Sequence, residues 1–263
     1  MARKISELPA ADTLDGSESL ALVQAGATRR SAVGALLSPA LIDGLQLQWL
    51  SGTALTVTTG LAMIPSLGRT VRVNAPLAKA GLALVASAWH HVYLWLNAAV
   101  PDIEIVTTAP DAPYFATARA KPGDTSRRYL GSVLTDAAGQ LFNFLHSGHT
   151  MAYQVIAQNA PFRVLSSGAS TAKTEVSVAG AVPITARVAT LSCNATSDTS
   201  VRLGNANDGG VAVGEAIYAF KGGATVIVPM PLTATGTFNY GYTAAPTNGG
   251  GLIVDVTGYQ FER

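Results

Sequence analysis

Apolar and polar residues alternate along most of this chain, in short runs that turn-forming residues separate. Residues 54–58 and 70–74 alternate, whereas residues 92–96 are apolar throughout. Alternation with a period of two places one set of side chains on each face of a β-strand, and a continuous apolar run is typical of a strand buried on both faces. Many such runs follow one another at short spacing, which predicts an all-β fold of the sandwich or barrel type.

Glycine and asparagine mark the predicted turns. Residues 136–139 read Asp-Ala-Ala-Gly between two apolar runs. They predict a tight hairpin turn, because Gly139 tolerates a positive φ. In the C-terminal half, residues 204–210, 221–223 and 247–251 are Gly- or Asn-rich, and they predict exposed connections between strands.

The pattern divides the chain into three segments. Residues 1–38 hold short extended pieces, and Ser31 is expected to begin a short helix that ends before Pro39. This segment has too little apolar area to fold alone, so we expect it to need a partner. Residues 39–150 and 151–263 each predict an antiparallel β-sandwich or barrel-like module, the second of jelly-roll size.

One uncharged stretch, residues 80–101, approaches the length of a transmembrane helix. Polar side chains interrupt it at Ser87, His90, His91 and Asn97, and its second half is β-branched and aromatic. We interpret it as a buried strand and predict no membrane insertion. Residues 1–10 lack the apolar core of a signal peptide, so we expect synthesis in the cytoplasm.

Charge is scarce. The chain is 48% hydrophobic and 13% charged, with a net charge of +1, and this charged share is about half of the usual one. Either such a surface consists largely of Ser, Thr, Gly and Ala, or much of it is covered by copies of the chain or by neighbours. The longest basic runs are the pairs Arg29-Arg30 and Arg127-Arg128, which we interpret as solvated turns or local ion pairs, so we predict no nucleic-acid binding.

Candidate catalytic patterns are weak. Ser170 and Lys173 have the S-x-x-K spacing, but they lie in a Gly/Ser/Thr/Ala loop, and the accompanying motifs of that enzyme class are missing from the sequence. Asp102 and Glu104 would share a strand face, yet beside Pro101 they are typical of edge charges. We therefore predict that the chain is not an enzyme and assign no catalytic residue.

Metal and cofactor patterns are also weak. Cys193 is the only cysteine, in an alternating stretch that indicates a half-buried strand position. His146 and His149 flank Ser-Gly, which favours a turn, although a three-fold axis could still bring such histidines together on an ion. Residues 205–210 are rich in oxygen ligands but lack the spacing of a calcium loop. We predict no metal and no cofactor.

Two segments resemble a known family. Residues 4–18 (KISELPAADTLDGSE) and 22–28 (LVQAGAT) are similar to the opening of phage tail-fibre, tail-spike and head-fibre proteins. Residues 118–136 (ARAKPGDTSRRYLGSVLTD) resemble the K-x-G-D-x-x-R-R-Y-L-G-S stretch of tail-associated β modules in phages and prophages. The residue types agree with this, since a Gly-Asp turn and two arginines precede an apolar strand.

The resemblance implies a homotrimeric tail fibre or tail-associated attachment protein in the virion. Its N-terminal segment, with Ile5, Leu8 and Pro9, would dock on tail or baseplate proteins. Its C-terminal module would meet a host-surface glycan or protein through receptor-facing loops, for which the candidate residues are Asn205, Asn207, Asp208, Tyr240, Tyr242 and Asn248. The alternatives are a connector or head-fibre protein that carries another adhesin, and a glycan-cleaving tail spike.

Overall fold

The computed structural model describes residues 19–32, 37–205, 216–223, 225–247 and 250–263. Ile5, Leu8, Pro9, Asn207, Asp208 and Asn248, which were predicted as site residues, lie outside these ranges.

The described residues form an all-β fold, as the alternating pattern predicts. They contain no α-helix, and their only helical element is a 3-10 turn over Pro65–Leu67. The strands are β1 (Ser19–Gln24), β2 (Ala27–Ala32), β3 (Ile42–Gly44), β4 (Leu47–Ser51), β5 (Ala54–Val57), β6 (Gly60–Ile64), β7 (Arg69–Val73), β8 (Leu77–Lys79), β9 (Trp89–Asn97), β10 (Val100–Val106), β11 (Ala120–Lys121), β12 (Asp124–Leu134), β13 (Phe144–Ser147), β14 (Thr150–Tyr153), β15 (Arg163–Gly168), β16 (Thr174–Ser177), β17 (Ala186–Ala195), β18 (Val201–Gly204), β19 (Tyr218–Phe220), β20 (Thr225–Pro231), β21 (Thr237–Tyr242) and β22 (Leu252–Phe261).

A nine-stranded antiparallel sheet runs through the molecule. Its order is β20-β17-β22-β14-β13-β4-β5-β8, and β15 also pairs with β22. The boundary predicted after residue 150 falls inside the β13–β14 hairpin of this sheet. The middle and C-terminal segments therefore share one sheet.

Four smaller antiparallel sheets complete the fold. Two have four strands, in the orders β10-β9-β12-β11 and β16-β21-β18-β19, and one has three strands, β3-β6-β7. The hairpin β1–β2 forms a two-stranded sheet of its own.

Aromatic side chains from both segments meet in one buried core. Tyr129 of β12 lies 5.9 Å from Tyr93 and 6.5 Å from Phe261, measured between ring centroids. Tyr259 of β22 donates a hydrogen bond to the carbonyl of Ser132 on β12, at 3.0 Å. Large aromatic side chains contribute most to core energetics, so this cluster ties the two segments together.

Several local predictions can be compared with the structure. Gly139 has φ +75° in the 136–139 turn, and the stretch interpreted as a buried strand contains β9, so both predictions are confirmed. Ser31, predicted to begin a helix, instead lies in β2 opposite Leu20, because a local capping preference yields to strand pairing. Among the described residues, no helix is long and apolar enough to cross a membrane.

Candidate functional site

The β1–β2 hairpin lies within the N-terminal segment, residues 1–38, and contains residues 22–28 of the resemblance given above. All six residues of β1 are exposed, and Val23 retains 78% of its surface. Leu20 and Leu22 are also exposed, at the positions opposite Ser31 and Arg29. A short ribbon with exposed apolar side chains is at best marginally stable alone.

Residues 38–45 come after this hairpin in the sequence and lead into the larger sheets. We call them the arm root. A buried arginine and a tyrosine hold its first part. Arg128 is fully buried, and its Nη2 donates to the carbonyl of Ala40 at 3.3 Å, while Nη1 donates to the carbonyl of Arg119 at 3.1 Å. The hydroxyl of Tyr114 donates to the carbonyl of Pro39 at 3.1 Å. Charged donors make stronger hydrogen bonds than neutral ones.

A second buried arginine holds the end of the arm root. Arg263 Nη1 donates to the carbonyl of Leu45, and Nη2 donates to that of Gly44, both at 3.1 Å. Burial, and next the charge of Arg128, lower the pKa of Arg263 to about 10. The side chain therefore stays a cation at neutral pH.

The arm root crosses the backbone at Gly60 too closely for a side chain. Gly60 has φ +156°, and a Cβ there would lie 2.2 Å from the carbonyl oxygen of Asp43 and 2.7 Å from the nitrogen of Leu45. Gly44, paired with Gly60 in β3–β6, has φ +64°. Glycine is required where two backbones approach this closely.

One carboxylate pairs with a buried arginine beside these anchors. Glu262 Oε2 accepts from Arg119 at 2.8 Å and from Arg187 at 2.9 Å. Partial burial alone would raise the pKa of Glu262, but the hydrogen bonds from Arg187 and Arg119 outweigh it and hold the pKa below its ordinary value.

We expect Glu262→Gln to lower the free energy of unfolding by about 2 kcal/mol at pH 7, because the buried Arg119 loses its anion. A carboxylate with a depressed pKa stabilises above its unfolded-state pKa, and that stabilisation is lost as the pH falls through the folded-state pKa. The difference from the wild type should therefore be full at pH 7 and shrink below the ordinary pKa of glutamate, as urea unfolding at several pH values would measure.

Asp102→Asn is the control, since its pair with Lys79 is more exposed and should contribute under about 1 kcal/mol. An equal loss in both variants would contradict this account.

The two tyrosines that were predicted to lie in receptor-facing loops lie in a buried strand instead. Tyr240 and Tyr242 lie in β21, and their exposed fractions are 4% and 3%. Their prediction as loop residues is wrong, because β21 is an inner strand between β16 and β18 and all its residues are buried. Asn205 directly follows β18, at the start of the predicted Gly/Asn-rich connection.

A buried serine and histidine lie at hydrogen-bond distance. His91 Nδ1 is 2.7 Å from Ser132 Oγ, which is also 2.7 Å from the Tyr129 hydroxyl, and that hydroxyl is 2.9 Å from Thr185 Oγ1. Burial, and next the charge of His90, lower the pKa of His91 to about 4. Ser132 is completely buried, so the geometry fits a satisfied polar network inside the core.

The other residues singled out for catalysis have local partners. The hydroxyl of Ser170 donates to the carbonyl of Ala172 at 3.0 Å, within a loop turn. Glu104 on the edge strand β10 pairs with Lys121 at 2.7 Å and Arg127 at 3.0 Å. The edge position predicted for Asp102 and Glu104 is confirmed.

The His146 ring binds backbone groups through both of its nitrogens. His146 Nδ1 accepts from the nitrogen of Leu47 at 2.9 Å, so Nε2 carries the proton and donates to the carbonyl of Gly148 at 3.0 Å. Burial lowers the pKa of His146 to about 4. Within the part of the chain that the structure describes, no three His, Cys, Asp or Glu side chains come close enough to hold a metal ion.

Two clefts open on the surface. One, of about 550 Å³, is lined mainly by small apolar side chains with Trp89 and His91. The other, of about 740 Å³, lies between the 136–139 turn and residues 155–162 and has both polar and apolar walls. We call this second one the turn cleft. Its residues were missed as a site in the sequence, although the turn itself was predicted.

The comparisons with known proteins give no family for this chain. No protein-family model matches it, and no curated protein is significantly similar to it. Its function must be inferred from its own residues.

Proposed function

We propose that the chain is a structural component of a bacteriophage tail, a tail fibre or a tail-associated attachment protein. Its N-terminal segment docks on the tail or baseplate, and its β body carries the surface that meets the host. The proposal rests on the two sequence segments that resemble phage appendage proteins and on the construction of the arm root.

The way in which buried arginines hold the arm root is the single observation that best supports this proposal. An N-terminal segment that attaches the protein to a particle has to withstand force without separating from the rest of the fold. Here two buried guanidinium groups hold four backbone carbonyls, three of which belong to residues 38–45. The anchors come from β12 and from Arg263, which are distant in sequence, so force on the arm is distributed over the core.

Self-association is the second part of the proposal. A homotrimer would cover apolar side chains that a surface with few charges leaves in water. Exposed examples on the nine-stranded sheet are Leu145 on β13, at 61%, and Ile227 on β20, also at 61%. Weak receptor contacts repeated on one particle would then gain from avidity.

We expect light scattering to give a solution mass near three times the 27.0 kDa of one chain. We also expect gold-labelled antibodies against the chain to decorate the tails of phage particles that carry its gene. A stable monomer would remove the trimer and favour a connector that assembles on the particle. Label on the capsid alone would favour the head-fibre alternative, and unlabelled particles would contradict the proposal.

A further inference from the structure

The turn cleft has a preorganised carboxylate at one wall. Asp136 Oδ1 accepts from the backbone nitrogens of Ala138 and Gln140, both at 2.8 Å. The carbonyl of Asp136 accepts from the nitrogens of Ser87 and Gly139, at 2.8 and 3.1 Å. A carboxylate can accept about four hydrogen bonds, so the turn leaves capacity for hydroxyl groups of a ligand. Because the turn already holds the side chain in place, binding costs little ordering.

Backbone strain marks the same wall. Ser87 lines the cleft and has φ +50°, a left-handed conformation that a non-glycine residue seldom adopts. Its nitrogen is the donor to the Asp136 carbonyl. Strain of this kind is concentrated at binding sites and active sites.

Apolar side chains make up much of the rest of the lining. Phe142 and Phe162 meet edge to face, with ring centroids 4.8 Å apart, and Phe142 is partly exposed. Ile156 lines the cleft with 76% of its surface exposed. Asn159 adds a side-chain amide at the rim. An apolar surface beside a few fixed polar groups is the usual composition of a small-ligand site, and about 740 Å³ lies within the usual size range.

From this arrangement we propose that the turn cleft binds a neutral sugar unit of a glycan. The hydroxyl groups of a sugar donate to the Asp136 carboxylate and accept from Asn159, while its C–H face packs on Phe142 and Ile156. Among the residues that line the cleft Asp136 is the only charged one, so acidic sugars are repelled. The inference rests on the proposed attachment function and names the ligand class of the host-facing surface.

The test uses the full chain and three probes: the methyl α-glycosides of glucose, galactose and mannose. In two-dimensional NMR spectra, we expect at least one probe to shift backbone signals of residues 136–139 and 155–162. Asp136→Asn retains an oxygen for the turn amides but replaces the other carboxylate oxygen with a donor, and it should weaken binding by about fivefold or more. Ile156→Ser should also weaken it. Val100→Ser, at a similarly exposed β-branched residue outside the cleft, is the matched control and should bind like the wild type.

No shift with any of the three glycosides, shifts confined to other surfaces, or unchanged affinity in Asp136→Asn would each overturn the sugar site. Tail labelling by antibodies does not depend on this cleft. A failed titration with labelled tails would therefore refute only the sugar site, whereas unlabelled particles would refute the attachment function itself.

Discussion

Replacing Gly60 with alanine is expected to lower the free energy of unfolding by about 3–5 kcal/mol. The new methyl group would lie 2.2 Å from the carbonyl oxygen of Asp43 and 2.7 Å from the nitrogen of Leu45. Both of these are backbone atoms, which cannot rotate away as a side chain could. The φ of +156° also disfavours any side chain. Relief would require the arm root to separate from β6, which would break the β3–β6 pairing. Urea unfolding followed by tryptophan fluorescence measures the loss.

The control for Gly60 is Gly123→Ala. Gly123 also has a positive φ, +72°, but a Cβ there has no atom within 4 Å. It should show only the cost of a left-handed residue, about 1–2 kcal/mol. Equal losses at the two sites would mean that the close approach of the arm root contributes nothing, which would contradict the packing described for it.

Arg128→Ala is the second change with a large expected effect, a loss of about 3–5 kcal/mol. It leaves a cavity in place of a fully buried side chain and removes the guanidinium donor from the carbonyl of Ala40. The carbonyl of Arg119 also loses this donor but keeps its bond from the backbone nitrogen of Tyr129. Removal of a desolvated charge offsets part of this loss. Because the arm root is released at Ala40, we also expect faster cleavage by a nonspecific protease within residues 38–45.

The neighbouring arginine supplies the control. Arg127 stacks on Trp95, with its guanidinium carbon 3.9 Å from the ring centroid, and pairs with Glu104 at a partly exposed surface. Arg127→Ala should cost about 1 kcal/mol or less and leave proteolysis of the arm root unchanged. If the two variants behaved alike, the anchoring role of Arg128 would be wrong.

The burial of Arg128 is a feature that the local sequence does not predict. Arg127 and Arg128 were both interpreted as a solvated turn or a local ion pair, which is confirmed for Arg127 and wrong for Arg128. In a strand, neighbouring residues point to opposite faces, so one of the two had to point inward once one face of β12 was covered. Nothing in the local pattern shows that the inner face would offer carbonyl groups in place of apolar side chains.

The prediction for Tyr240 and Tyr242 was wrong for a related reason. They were predicted to face a receptor, but their strand lies between two others and is covered. Burial of a strand depends on the neighbours it acquires. The prediction for the 136–139 turn succeeded because a positive φ at Gly139 is a property of four consecutive residues.

The all-β class, the positions of many strands and turns, and the scarcity of charge can be predicted from the sequence alone, because strand periodicity, glycine conformation and composition are local properties. Three features became visible only in the folded chain: the sheet that the middle and C-terminal segments share, the hold of Arg128 and Arg263 on the arm root, and the cleft that Asp136 lines with Phe142 and Ile156. These features join residues far apart in the chain, so they arise from strand order and packing, which the local pattern does not encode.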